Sequence, residues 1–255
     1  MSYDMNHDAM AANRLARITG VLYLIIAIFG MFAGTVSTNL TVAGDPTASA
    51  GNVLASLALV RASLAAWIIV LFADIAVSIT LFVLLNPVSP TLSLVAAAFR
   101  VVYVAIQSTN LLNLFNAVLL LTNSNIGAGF GREQVNALSL LSLETFGTGF
   151  RIGLVFFGMH LIVLGYLFFT SRYLPRAIST LVIAAGIGYS ADSLGRLLVP
   201  DYSAVATAVL LTPAAVGELA FTLWLILRGV RILRTGGLQQ PDQSQPQGQR
   251  VIAAA

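Results

Sequence analysis

The chain predicts an all-α fold: a polytopic membrane protein built as a six-transmembrane-helix bundle, with two short amphipathic helices in the outer loops. Three observations carry this. Hydrophobic residues make up 58% of the 255 residues and charged residues only 9%, against roughly 25% charged in an ordinary soluble domain. The mean hydropathy is +0.89, which is more apolar surface than a soluble core of this length needs, so the bilayer is the solvent. The apolar residues also fall into six long runs, separated by short polar or Pro/Gly-rich turns.

Residues 1–17 are polar, end in Arg14 and Arg17, and read as a cytoplasmic tail rather than a cleaved leader. The apolar run that follows is too long for the core of a signal peptide and has no small-residue cleavage site. It is the first span, about 18–36. Asp45-Pro46 then offers an N-cap followed by proline at the first helical position, so a short amphipathic helix is expected within 41–61, lying on the outer interface. The second span is about 62–85 and ends in the turn Asn86-Pro87-Val88-Ser89-Pro90, whose prolines stop helices on both sides. The third span, about 91–121, carries a polar stripe, since Arg100, Tyr103, Gln107 and Asn110 share one face at helical spacing. A Gly/Asn-rich loop at 122–131 follows. It has neither a preceding strand nor a lysine, so it is not a phosphate loop. Residues 132–144 form the second outer amphipathic helix. Spans four to six are expected at about 148–170, 177–199 and 204–227, the last containing Pro213, and residues 234–255 read as a disordered cytoplasmic tail.

Orientation follows from the arginines. With the N-terminus inside, Arg14, Arg17, Arg172, Arg176, Arg228, Arg231 and Arg234 are cytoplasmic and only Arg61 and Arg132 are outside, which is a positive-inside asymmetry. Both termini are therefore expected in the cytoplasm of a cell whose plasma membrane holds the six-span domain 18–233.

Composition also excludes chemistry. There is no cysteine and no lysine, so disulfides, thiolate metal sites, cysteine nucleophiles, Schiff bases and a Walker-A lysine are all ruled out. Bis-histidine haem needs a second buried histidine, and His7 lies in the tail. No helix carries the paired histidines of a zinc protease, and no nucleophile elbow is present. No cofactor, no metal and no enzymatic constellation are expected. A pI near 9.6 reflects arginines at span ends, a topology signal rather than a nucleic-acid surface. The expected partners are the lipid bilayer and a small-molecule or ion ligand, and nothing in the chain sets an oligomeric state.

Ionisable residues inside the apolar runs are the candidate site. At ~1.5 Å rise per residue across a ~30 Å hydrocarbon core, Asp74 lies ~18 Å, His160 ~18 Å and Glu218 ~21 Å below the outer face, and Arg100 ~14 Å above the inner one. These four fall near one depth and are the candidates for substrate or proton handling. Arg151, Asp192 and Arg196 form an outer tier, an ion pair or gate, with Asp192 and Arg196 spaced to pair along one helix. Asp74, Asp192 and Glu218 balance Arg100, Arg151 and Arg196, and each is expected to point inward and pair, because a charge at the helix centre costs about 2.5–3.5 kcal/mol. The stripe Tyr103, Gln107 and Asn110 serves either that site or helix–helix hydrogen bonding.

The segments GFRIGLVFFGMHLIVLGYLFFTSRYLPR, AGIGYSADS and GELAFTLWLILRGV, with the early RITGVLYLI, resemble a bacterial family of integral membrane proteins known as domain of unknown function 4386. The resemblance spans about residues 13–231. It implies a multi-pass protein of the bacterial cell membrane and brings no activity or catalytic residue with it. The chain departs from the family pattern at Phe150-Arg151, where members often carry Tyr-Asp. Two functions stay open at this point. One is a bundle that binds or conducts a small solute or proton through a polar midplane site. The alternative is a non-transporting membrane scaffold or regulatory subunit whose buried ion pairs are purely structural.

Overall fold

Seven helices and no strand make up the described residues of the chain, in the order α1 (Ser2–Leu40), α2 (Pro46–Ala55), α3 (Leu57–Leu85), α4 (Pro90–Thr122), α5 (Arg132–Ser171), α6 (Arg176–Leu198) and α7 (Ala204–Leu227). The structure is a computed structural model that describes residues 2–123, 125 and 129–230, with side chains from residue 10 onward. The expectations for the 234–255 tail, for Arg231 and Arg234, for the His7 side chain and for the Gly127-Ala128 part of the loop lie outside the described residues.

Six helices are long and apolar enough to cross a membrane: Met10–Leu40, Leu57–Leu85, Pro90–Thr122, Arg132–Ser171, Arg176–Leu198 and Ala204–Leu227. They fit a multi-pass membrane protein, as the composition predicts. Large apolar side chains such as Phe72, Ile79, Leu112, Ile187 and Leu219 face outward, while Asp74, Arg100, His160 and Asp192 are buried. That distribution is the reverse of a soluble protein's and matches a bundle solvated by lipid.

Each span packs on the next, and α7 closes back onto α1, so the six form a ring in chain order. Short connections make consecutive helices antiparallel neighbours. Local chemistry sets the breaks. Asp45 accepts from Ala48 N at 2.9 Å, and Pro46 opens α2. Ser56 separates α2 from α3, its N–H bonding to Asn52 and Val53 carbonyls. The α3–α4 turn ends with Ser89 capping Leu92 N at 3.3 Å and Pro90 at the first position of α4. Arg172 ends α5 in the left-handed region at φ 57°, and Pro175 precedes α6.

Two boundaries differ from the sequence reading. Helix α1 reaches back to Ser2, because no proline or glycine interrupts residues 1–17. The helical segment at 132–144 is continuous with the fourth span as one helix of 40 residues. Gly147 and Gly149 are the weakest helix formers at the junction, and glycine alone lowers helix stability by about 1 kcal/mol without ending a helix. Helix α5 packs against α2, which supports the extension.

Close approach holds the ring together at α5 and α6. A Cβ at Gly158 would sit 2.5 Å from the Gly186 carbonyl oxygen, and one at Gly186 would sit 2.5 Å from that of Gly158. Small residues here let the two backbones touch, the packing device available where lipid supplies no hydrophobic drive between helices. This contact sets α5 against α6 close to the level of His160 and Tyr189.

Candidate functional site

Arg100 is the centre of the bundle. It lies ten residues past Pro90, ~15 Å along α4, and is fully buried. Its Nε and Nη2 both donate to Asp74 Oδ1 on α3, at 3.1 and 2.5 Å. Its Nη1 donates to Tyr23 Oη on α1 at 2.5 Å and to His160 Nε2 on α5 at 3.0 Å. One side chain thus ties four spans. The guanidinium also lies between two rings, with its carbon 4.8 Å from the Tyr23 centroid and 5.4 Å from that of Phe157, a favourable cation–π arrangement in a dry site.

These bonds fix the state of His160. Arginine can only donate, so Nε2 must accept and the ring proton sits on Nδ1. That nitrogen then donates to the Ala96 carbonyl at 2.8 Å. Both ring positions are used, and His160 is held neutral as a hydrogen-bond bridge between α4 and α5. Asp74 is satisfied on one oxygen only, since Oδ2 is buried without a hydrogen-bond partner.

Glu218, expected at the same depth, is not bonded to this cluster. Its Oε2 accepts from Tyr189 Oη at 2.7 Å, joining α7 to α6. Phe157 connects the two groups, with its ring 5.7 Å from Tyr189 and stacked 6.0 Å from His160. Side chains from all six spans therefore meet at one level.

The polar stripe of α4 runs from Arg100 toward the end of the bundle away from both chain ends. The Tyr103 ring lies 5.1 Å from that of Phe157, tilted by 44°. Gln107 Nε2 donates to the Phe150 carbonyl at 3.1 Å, and Asn110 Nδ2 to that of Phe146 at 2.9 Å. The Gln107 and Asn110 side chains lie against Gly153 and Gly149 of α5. These bonds zip α4 to α5.

The outer tier divides. Arg196 Nε donates to Asp192 Oδ2 at 3.2 Å on one face of α6. Thr207 of α7 accepts from Arg196 at 2.7 Å and donates to Asp192 Oδ1 at 2.6 Å. Arg151 is within electrostatic reach of this pair but makes no hydrogen bond or ion pair among the described residues. The balanced charges therefore give two arginine–carboxylate pairs instead of three, because the azimuths of Glu218 and Arg151 point them elsewhere.

Arg151 lines an open cavity of about 520 Å³ between the far ends of α1, α3 and α5. Ser37, Thr38, Thr41 and Thr148 supply hydroxyls, Trp67, Phe146 and Phe150 supply aromatic walls, and Glu144 adds one exposed carboxylate. Trp67 Nε1 donates to Ser37 Oγ at 3.4 Å, and the Trp67 ring lies 5.4 Å from Phe150. Behind these rings, against Gln107 and Leu111, only about 10 Å³ remains, at the threshold for a single water. Asp74, Arg100, His160 and Glu218 are not among the residues lining the cavity. The aromatic floor separates it from the midplane cluster.

Sequence reasoning missed Tyr23, Trp67 and the cavity. A tyrosine well inside an apolar run is a signal, because its hydroxyl needs a partner in lipid. Nothing in the chain announces that α1, α3 and α5 splay at one end. Among the described residues, no group of three or more histidines or carboxylates could hold a metal.

A family model described as domain of unknown function (DUF4386) matches residues 18–229. An uncharacterised protein of Archaeoglobus fulgidus is 28% identical over 164 residues, which is 64% of this chain and 82% of the relative. No solved structure matches the chain.

Proposed function

The chain belongs to the DUF4386 family, and on that premise we propose that it binds a small organic anion with an apolar body, in the cavity that opens away from the chain ends. The observation that carries this is Arg151. It is half-buried, has no bonded partner among the described residues, and faces a 520 Å³ cavity whose floor is aromatic and whose wall carries hydroxyls and the exposed Glu144, which makes no ion pair with it. A cation inside a span calls for a counter-charge, and a carboxylate or phosphate on an aromatic or short aliphatic body would supply it. Mostly apolar walls with a few polar groups are the usual composition of a small-ligand site.

The Asp74–Arg100–Tyr23–His160 cluster is read as the structural clamp under that site. Arg100 spends four hydrogen bonds on holding helices together, which supports the scaffold reading for this level of the bundle. Any proton exchanged at the midplane is assigned to Glu218, whose bonded partner is Tyr189 and which has no arginine in bonding contact. The cavity is placed on the outer face of a cell membrane. Among arginines outside the apolar runs, Arg14, Arg17, Arg172, Arg176 and Arg228 lie at the opposite end and Arg61 and Arg132 at the cavity's end, a bias that supports cytoplasmic chain ends.

Trp67 reports on the cavity directly. The chain has two tryptophans, so Trp224→Phe leaves Trp67 as the sole emitter. Benzoate is expected to quench Trp67 fluorescence saturably, and Arg151→Gln to weaken that binding about tenfold or more, the loss of one charge-assisted hydrogen bond. Benzyl alcohol binding as tightly as benzoate, or Arg151→Gln leaving the affinity unchanged, would remove the anion site.

A further inference from the structure

A second recess lies at the opposite end of the bundle, and its chemistry is different. It has a volume of about 650 Å³ and sits between the start of α1 and the end of α7. Three arginines reach it, Arg14 and Arg17 from α1 and Arg228 from the end of α7. All three are exposed. Neither ion pair among the described residues involves them, because those pairs use Arg100 and Arg196.

The recess is built rather than formed by two loose ends meeting. Arg228 N donates to the Trp224 carbonyl at 2.8 Å and closes α7. Gly229 then takes φ +67°, a conformation that suits glycine. The turn lets Val230 N donate to Asn13 Oδ1 at 3.0 Å, 217 residues away. This tether holds Arg228 beside Arg14 and Arg17.

Below the arginines the wall is apolar. Ile18 is 44% exposed and Val21 48%. Ile18 follows Arg14 by four residues and Val21 follows Arg17 by four, so each lies one turn deeper on the same face. Basic groups at the headgroup level above an apolar strip at the acyl level match one ligand, an anionic phospholipid. Guanidinium forks hold a phosphodiester, and the strip takes an acyl chain. Free phosphate would use the arginines and leave the strip unused.

We propose that this recess is a binding site for an anionic phospholipid, with the phosphate held by Arg14, Arg17 and Arg228 and an acyl chain lying on Ile18 and Val21. The site is independent of the anion cavity at the other end. Basic pockets between spans are the physical form that headgroup recognition takes.

Native mass spectrometry of the full chain, released from micelles containing equal phosphatidylglycerol and phosphatidylcholine, tests it. The unaltered chain should retain phosphatidylglycerol in preference. The triple variant Arg14→Gln/Arg17→Gln/Arg228→Gln should lose that retention by about tenfold or more, since each basic side chain near an anionic surface contributes roughly a factor of five. Arg61→Gln/Arg132→Gln/Arg172→Gln, which alters arginines outside the recess, should retain it. Ile18→Gln keeps the charges and should weaken lipid retention while leaving any thermal shift with inorganic phosphate unchanged. Equal loss in both triple variants would mean bulk electrostatics and overturn the site. Full retention in the first triple variant would overturn it directly. An Ile18→Gln variant that keeps wild-type lipid retention, with inorganic phosphate giving the whole thermal shift, would make this a free-phosphate site and overturn the lipid assignment.

Discussion

Arg100→Met is expected to destabilise the folded bundle by about 3–5 kcal/mol, the cost of stranding one member of a buried ion pair. Asp74 is buried, and one of its oxygens already lacks a partner. Removing Arg100 leaves the other unpaired as well. Tyr23 loses its donor, and His160 Nε2 loses the bond that fixes its tautomer. Asp74→Leu alone should be similarly damaging, because it leaves a guanidinium without its counter-charge. The double variant Asp74→Leu/Arg100→Met should recover most of the loss, because replacing both members of a buried pair by apolar groups of similar volume is often neutral. Thermal unfolding in detergent over the full double-mutant cycle measures the coupling. If the cluster is a clamp and not a ligand site, the double variant should also keep benzoate quenching of Trp67. Single variants that unfold like the parent would show that the pair holds nothing together.

Gly158→Leu is the second large effect expected. The new Cβ would sit 2.5 Å from the Gly186 carbonyl oxygen and 3.0 Å from the Ser190 nitrogen. Both are backbone atoms of α6, so no side-chain rotation relieves the clash and the helices must separate. Overpacking costs about 1–3 kcal/mol when neighbours can adjust and more when they cannot. The displacement would also reach Phe157 and His160, which flank Gly158 on α5 and contact Arg100. Size-exclusion profile and unfolding temperature should both show the loss. Gly51→Ala is the matched control, since nothing lies within 4 Å of its added Cβ, and alanine in a helix is the better residue. Equal effects at the two positions would contradict the close α5–α6 contact.

The number of spans and the all-α class were legible because hydropathy and proline turns are local properties. Depth was legible too, since rise per residue converts sequence distance into height. It placed Asp74, Arg100 and His160 at one level, and the structure bonds them there. Partner choice was not legible, because it depends on the azimuth of each helix and on which helices are neighbours. Equal numbers of acids and arginines gave no hint that Glu218 would take Tyr189, or that Arg151 would face a cavity instead of a carboxylate. Tyr23 was overlooked because an aromatic inside an apolar run reads equally as ordinary core packing. The sequence reading separated a helix at 132–144 from a span at about 148–170, yet two glycines without a proline do not end a helix that has neighbours on both sides.

Cysteine accessibility tests the central claim most directly, because the natural chain has no cysteine to remove. Ser37→Cys and Thr148→Cys place a thiol in the cavity, while Ser78→Cys places one in the buried level near Asp74. A membrane-impermeant thiol reagent applied from outside intact cells should label Ser37→Cys and Thr148→Cys, and benzoate should protect both. Ser78→Cys should stay unlabelled until the bundle is unfolded, because the floor of Trp67, Phe146 and Phe150 closes the cavity above it. Labelling of Ser78→Cys as fast as Thr148→Cys would mean an aqueous path to the Arg100 cluster, and would contradict a closed clamp beneath an outward-facing site.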